Sequence, residues 1–90
     1  MGLLIYVRGP LGPNFSEGSR LLFLAAKRAG LTQEALRARL GRSKGVVGDW
    51  LRGKSKPDGE SRGRIYEKFG IKPHLFDQKP TKPFSLESAA

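Results

Sequence analysis

Residues 31–57, LTQEALRARLGRSKGVVGDWLRGKSKP, decide how this chain folds. They read as two short helices joined by a tight turn. Thr32 is a good helix N-cap, and Glu34, Ala35, Leu36, Ala38 and Leu40 favour helix. Gly41 then stands where a helix must stop, because glycine accepts positive φ. Ser43 is a cap for a second helix. Within that helix Val47, Trp50 and Leu51 fall at i, i+3 and i+4, so they share one face. Lys44, Gly45, Gly48, Asp49 and Arg52 are left to the other faces. A helix clamped by apolar residues and presenting polar side chains outward is what a reader of the DNA major groove needs.

Upstream, the pattern predicts a helix over residues 16–29, ended by Gly30, with Ser16 as its cap and Ser19 as the rival. Leu21, Leu22, Phe23, Leu24, Ala25 and Ala26 surround its axis with apolar surface, where a surface helix keeps a polar side. A second face therefore needs covering, by the N-terminal segment or by a second subunit. Residues 3–7, Leu-Leu-Ile-Tyr-Val, form a strand-like arm bounded by Gly9 and Pro10, and residues 9–14 are a turn or linker. Downstream, residues 54–58 are a basic loop containing Pro57. Asp58 is the cap of a further helix ending near Phe69, with Ile65, Tyr66 and Phe69 facing inward and Gly59 and Gly63 weakening it. Residues 72–76 make a final turn that docks Leu75 and Phe76. Residues 77–90, with Pro80 and Pro83, read as a mobile tail.

Ninety residues make one domain, burying roughly 60–65% of the unfolded surface. The expected divisions are an arm and linker at 1–13, a domain at 14–76 and a tail at 77–90. The fold class is mainly all-α, a compact bundle of four to five helices with the short strand-like arm. Without cysteine there is no disulfide and no thiolate metal site, which suits a cytoplasmic protein. Residues 3–7 are too short a run for a membrane span or a signal-peptide core, and Tyr6 breaks the myristoylation pattern. The net charge is +9. Residues 31–72 hold eleven Lys/Arg and five Asp/Glu, a net +6 that attracts polyanions, nucleic acid first.

Residues 31–57 resemble the helix-turn-helix of the lambda-repressor-like (Cro/XRE) transcription factors. The matching residues are Thr32, Gln33, Glu34, Leu36, Leu40, Gly41, Ser43, Val47, Trp50, Gly53 and Pro57. Weaker matches run on through Phe69, Gly70, Ile71, Leu75 and Phe76, and back to about Phe15, some two-thirds of the chain. The resemblance implies that the second helix of the motif lies in the major groove, with Lys44, Gly45 and Asp49 at its base-facing positions. Lys44 then donates to guanine O6 and N7, and Asp49 accepts from cytosine N4. Gly45 lets the backbone approach closely, and Val46 meets a thymine methyl. The plainer alternative has Lys44 on a phosphate and Asp49 paired with Lys44 or Arg52. Gln33 matches the residue that holds a phosphate beside a helix N-terminus, and Arg42, Ser43, Arg52, Lys54 and Lys56 are further phosphate candidates.

Four positions depart from the family pattern. Arg37 stands where a small residue is usual at the contact of the two helices, and Arg42 where an apolar one is usual. Arg62 and Gly63 likewise replace apolar residues of the following helix. Trp50 is read as core, from its spacing to Val47. Residues 48–55, GDWLRGKS, fit the Walker A expression, but Trp50 and Leu51 fill the loop with bulk, Pro57 follows at once, and 90 residues cannot hold that domain. His74 is the only histidine, so no metal or other cofactor is expected, and no nucleophile stands with a base. The expected function is that of a DNA-binding transcriptional regulator, a phage-type or bacterial repressor and not an enzyme. Its expected partner is a palindromic double-stranded operator, bound by a homodimer built from the arm and the first helix, with no membrane partner. The alternative is a protein-interaction module on the same fold, an antitoxin or anti-repressor, meeting its partner through that helix or arm.

Overall fold

Each of the four α-helices begins on a side-chain cap. The computed structural model describes residues 11–81, and all its regular structure is helical: α1 Glu17–Arg28, α2 Gln33–Leu40, α3 Lys44–Arg52, α4 Gly59–Phe69 and a 3-10 helix Pro73–Asp77. Ser16, Thr32, Ser43 and Asp58 accept from the backbone N–H three residues on, at 3.1, 3.0, 3.2 and 2.8 Å. Each bond satisfies a donor that the first helical turn leaves unpaired. Ser19, the rival cap, lies inside α1, where its hydroxyl is 3.0 Å from that of Ser16.

α2, α3 and α4 stop on left-handed glycines, and α1 stops on Ala29 with Gly30 following. Gly53 shows why: its φ is +81°, and a Cβ there would fall 2.4 Å from the backbone of Phe15. The N-terminal segment crosses the end of α3 at this point. The Gly12 N–H donates to Arg52 O at 2.7 Å and the Asn14 N–H to Gly53 O at 2.8 Å. The Asn14 side chain donates to Lys54 O at 3.1 Å. The expected linker is thus a clamp on the C-terminus of α3.

One core joins all the elements. It contains Leu22, Phe23 and Ala26 of α1, Leu36 and Leu40 of α2, and Val47, Trp50 and Leu51 of α3. Leu31, Ile65, Ile71 and Phe76 complete it. Gly18 lets Phe76 lie against the backbone of α1, since a Cβ there would meet the ring at 2.6 Å. Of the apolar residues that surround the axis of α1, Leu22, Phe23 and Ala26 belong to this core, and Leu21, Leu24 and Ala25 are half-buried. Tyr66, expected inward, is 51% exposed, because Ile65 takes the core position of that turn.

Residues 77–81, read as the start of a mobile tail, are fastened to the domain. The Glu17 N–H donates to Gln78 O at 2.8 Å, and the Thr81 N–H donates to Glu17 Oε1 at 2.8 Å. Glu17 is buried and pairs with Arg20 through both carboxylate oxygens. Arg20 holds its carboxyl down to about 2. The strand-like arm at residues 3–7 and the tail beyond 81 lie outside the described residues. Among the described residues no helix is long and apolar enough to cross a membrane.

Candidate nucleic-acid interface

α3 is divided sharply between an anchored and an open side. Val47, Trp50 and Leu51 are buried, with Trp50 3% exposed. Lys44, Gly45 and Val46 are exposed, Val46 at 40%, although it is one of the few large apolar side chains left to solvent. The i, i+3, i+4 spacing explains this division. Three core side chains fix the rotation of the helix about its axis. That rotation turns residues 44–46 and part of Asp49 outward.

Gln33 sets the two helices of the motif against each other. Its Nε2 donates to Lys44 O at 3.0 Å, bridging the first turns of α2 and α3. Gly48 makes room for that bridge, since a Cβ there would meet Gln33 Nε2 at 2.7 Å. The side chain expected on a phosphate is therefore also a brace between the two helices. Arg37, expected at the contact of the two helices, pairs with Glu34 one turn back along α2.

The basic residues fall into two sets. Lys44 and Lys54 have no carboxylate within ion-pair distance among the described residues. Arg52 is paired with Asp49, Nη2 to Oδ1 at 2.8 Å, one helical turn apart. This is the plainer expectation for Asp49, and Lys44 is not part of the pair. Asp49 also organises the following loop, its carbonyl accepting from the Lys54 N–H at 2.8 Å. Lys56 Nζ lies 3.4 Å from Asp77 Oδ1.

Arg42, expected among the phosphate contacts, is turned elsewhere. Its Nε donates to the Ser61 hydroxyl at 2.9 Å, and its Nη2 lies 3.5 Å from Glu60 and 3.8 Å from Asp58. The physical reason is local. The first turn of α4 carries two carboxylates and a buried Ser61 that needs a partner, and Arg42 lies beside them. Asp58 is held below the usual carboxylate range, first by its bonds to Ser61 and then by Arg42. Arg62 is equally occupied. It donates to Pro57 O at 2.9 Å, pairs with Asp77 and lies 5.8 Å over the Phe76 ring. The guanidinium lies within cation–π range of that ring.

Several residues that shape this surface gave no signal in the sequence. Arg64 donates to Leu40 O at 3.0 Å and closes the C-terminus of α2. Asn14 and Asp77 reach the loop after α3 from distant parts of the chain. None of these contacts follows from local spacing. Between Phe76 and residues 13–16 a groove of about 210 Å³ opens, with Lys56 and Lys79 at its edge. The described residues contain no cluster of three or more His, Cys, Asp or Glu placed to hold a metal. Comparison with protein-family models and with curated proteins finds no match for this chain.

Proposed function

We propose that this chain is a sequence-specific, double-stranded DNA-binding transcriptional regulator of the lambda-repressor-like kind, reading the major groove with α3. One observation carries the proposal. α3 is locked by Val47, Trp50 and Leu51 and leaves Lys44, Gly45 and Val46 exposed together on its open side. A lysine, a bare backbone and an exposed apolar side chain match what guanine edges, close approach and thymine methyls require. Asp49 adds an acceptor for cytosine N4, steadied by Arg52 against nearby phosphates. Ser43, Gln33, Lys54 and Arg52 are assigned to the phosphates, while Lys56 stands beside Asp77 and Arg42 is left to α4.

The regulator acts in the cytoplasm as a repressor and binds its palindromic site as a homodimer. A single α3 offers few base contacts, and two-fold repetition doubles the readout at half-sites about one helical turn apart. The test is titration of the full chain with duplex DNA at two salt concentrations. Binding that weakens steeply with added salt is expected, because neutralised phosphates release counterions. A chain that binds no duplex at low salt refutes the proposal and leaves the protein-interaction module in its place.

A further inference from the structure

Lys56 is one of the cations that the sequence offers for a phosphate, and a carboxylate already stands beside it. Asp77 Oδ1 is 3.4 Å from its Nζ. Asp77 is fixed in that place. Arg62 Nη1 reaches its Oδ2 at 2.8 Å and Arg62 Nη2 its Oδ1 at 3.2 Å. Arg62 is fixed in turn by Pro57 O at 2.9 Å, Pro73 O at 3.3 Å and the Phe76 ring. Pro57 directly follows Lys56, and Asp77 ends the 3-10 helix that docks on the core. A half-exposed carboxylate, bonded twice to Arg62, is thus held beside the basic loop from outside it.

We infer that Asp77 is an internal stand-in for a nucleic-acid phosphate at Lys56, limiting the charge-driven part of DNA binding. This rests on the DNA-binding reading above. A lysine that neutralises a phosphate releases a condensed counterion. A lysine taken from a protein carboxylate releases less, because the freed carboxylate gathers cations of its own. Lys56 then adds little to affinity or to its salt dependence, while Lys54, which no carboxylate pairs among the described residues, adds its full share. Binding to DNA of arbitrary sequence, which is almost wholly electrostatic, is held down as a result.

The experiment uses the full chain and a duplex of random sequence, between about 50 and 200 mM salt. Asp77→Asn keeps an oxygen for Arg62 and removes the charge. It is expected to bind about threefold to tenfold tighter at the lower salt, with a log–log salt slope steeper by close to 0.9. Lys56→Gln is expected to cost the parent less than about twofold and to erase the whole gain on the Asp77→Asn background. Thermal melting confirms that each variant is folded. A folded Asp77→Asn with the parent's affinity and slope overturns the inference. So does a gain that survives Lys56→Gln, which would trace it to overall charge. If Asp77→Asn does not fold, Lys56→Gln alone decides: a loss near tenfold overturns the inference, and a loss below twofold supports it. A parent that binds no duplex overturns the function reading itself, and this inference with it.

Discussion

Two glycines at the ends of α3 make opposite demands, and a methyl group tells them apart. Gly53 has a left-handed φ and no space for a Cβ. Gly53→Ala should destabilise the domain by about 1–3 kcal/mol or more, measured by urea unfolding. Gly45 is helical, and nothing lies within 4 Å of where its Cβ would be. Gly45→Ala should therefore raise stability by roughly 0.5–1 kcal/mol. If the DNA backbone or bases approach closely there, the same change should weaken duplex binding while it stabilises the fold. Trp50, 3% exposed, should cost roughly 3–5 kcal/mol as Trp50→Ala, and a folded variant that merely loses DNA would place it at the nucleic acid. At this scale the sequence was readable wherever a residue's role is local. The core roles of Val47, Trp50 and Leu51 follow from helical spacing alone. Arg42 was not readable, because its partners Asp58, Glu60 and Ser61 are brought to it by the fold. Tyr66 failed for a related reason: a single turn offered both Ile65 and Tyr66 to the core, and only packing chooses.

The elements are set by their ends. Four caps of the Ser/Thr/Asp type and the following glycines mark the boundaries of α1 to α4, and each is a signal that works within three residues. That is why the helices were legible to within a residue or two. What joins them was not. The cap of α4 illustrates the difference. Asp58→Ala removes the bond to the Ser61 N–H, as any cap loss does, and it also takes a carboxylate from Arg42. The expected cost is about 1 kcal/mol, since Glu60 still faces the guanidinium. Serine in place of Asp58 should restore the cap and recover most of that stability in thermal melts. A loss that Asp58→Ser leaves unchanged would mean that the Arg42 pair, not the cap, carries the effect. The clamp of residues 12–14 on the end of α3 and the brace from Gln33 to Lys44 O are likewise links between elements. They hold the open side of α3 at a fixed angle, which the composition of α3 cannot do by itself.

For the whole molecule, acid stability follows from the arrangement, and DNA recognition is the function proposed for it. Glu17 is held at about 2 instead of its ordinary 4.5, chiefly by its bond to Arg20. A carboxyl depressed on folding contributes stability that is complete above 4.5 and is lost as the pH falls towards 2. The contribution at neutral pH is on the order of 3 kcal/mol. Glu17→Gln should lower stability at pH 7 and flatten the acid limb of the stability curve; an unchanged limb would assign acid unfolding to other groups. The same residue secures residues 78–81, so its loss should also loosen that segment. The recognition proposed for α3 is tested most directly by selecting bound sequences from a random duplex pool with the parent and with Lys44→Ala. The parent should recover a defined, two-fold symmetric site containing a guanine that Lys44→Ala no longer selects, at a cost of roughly 1–3 kcal/mol at that base pair. A Lys44→Ala protein that recovers the parent's site unchanged would contradict the placement of α3 in the groove.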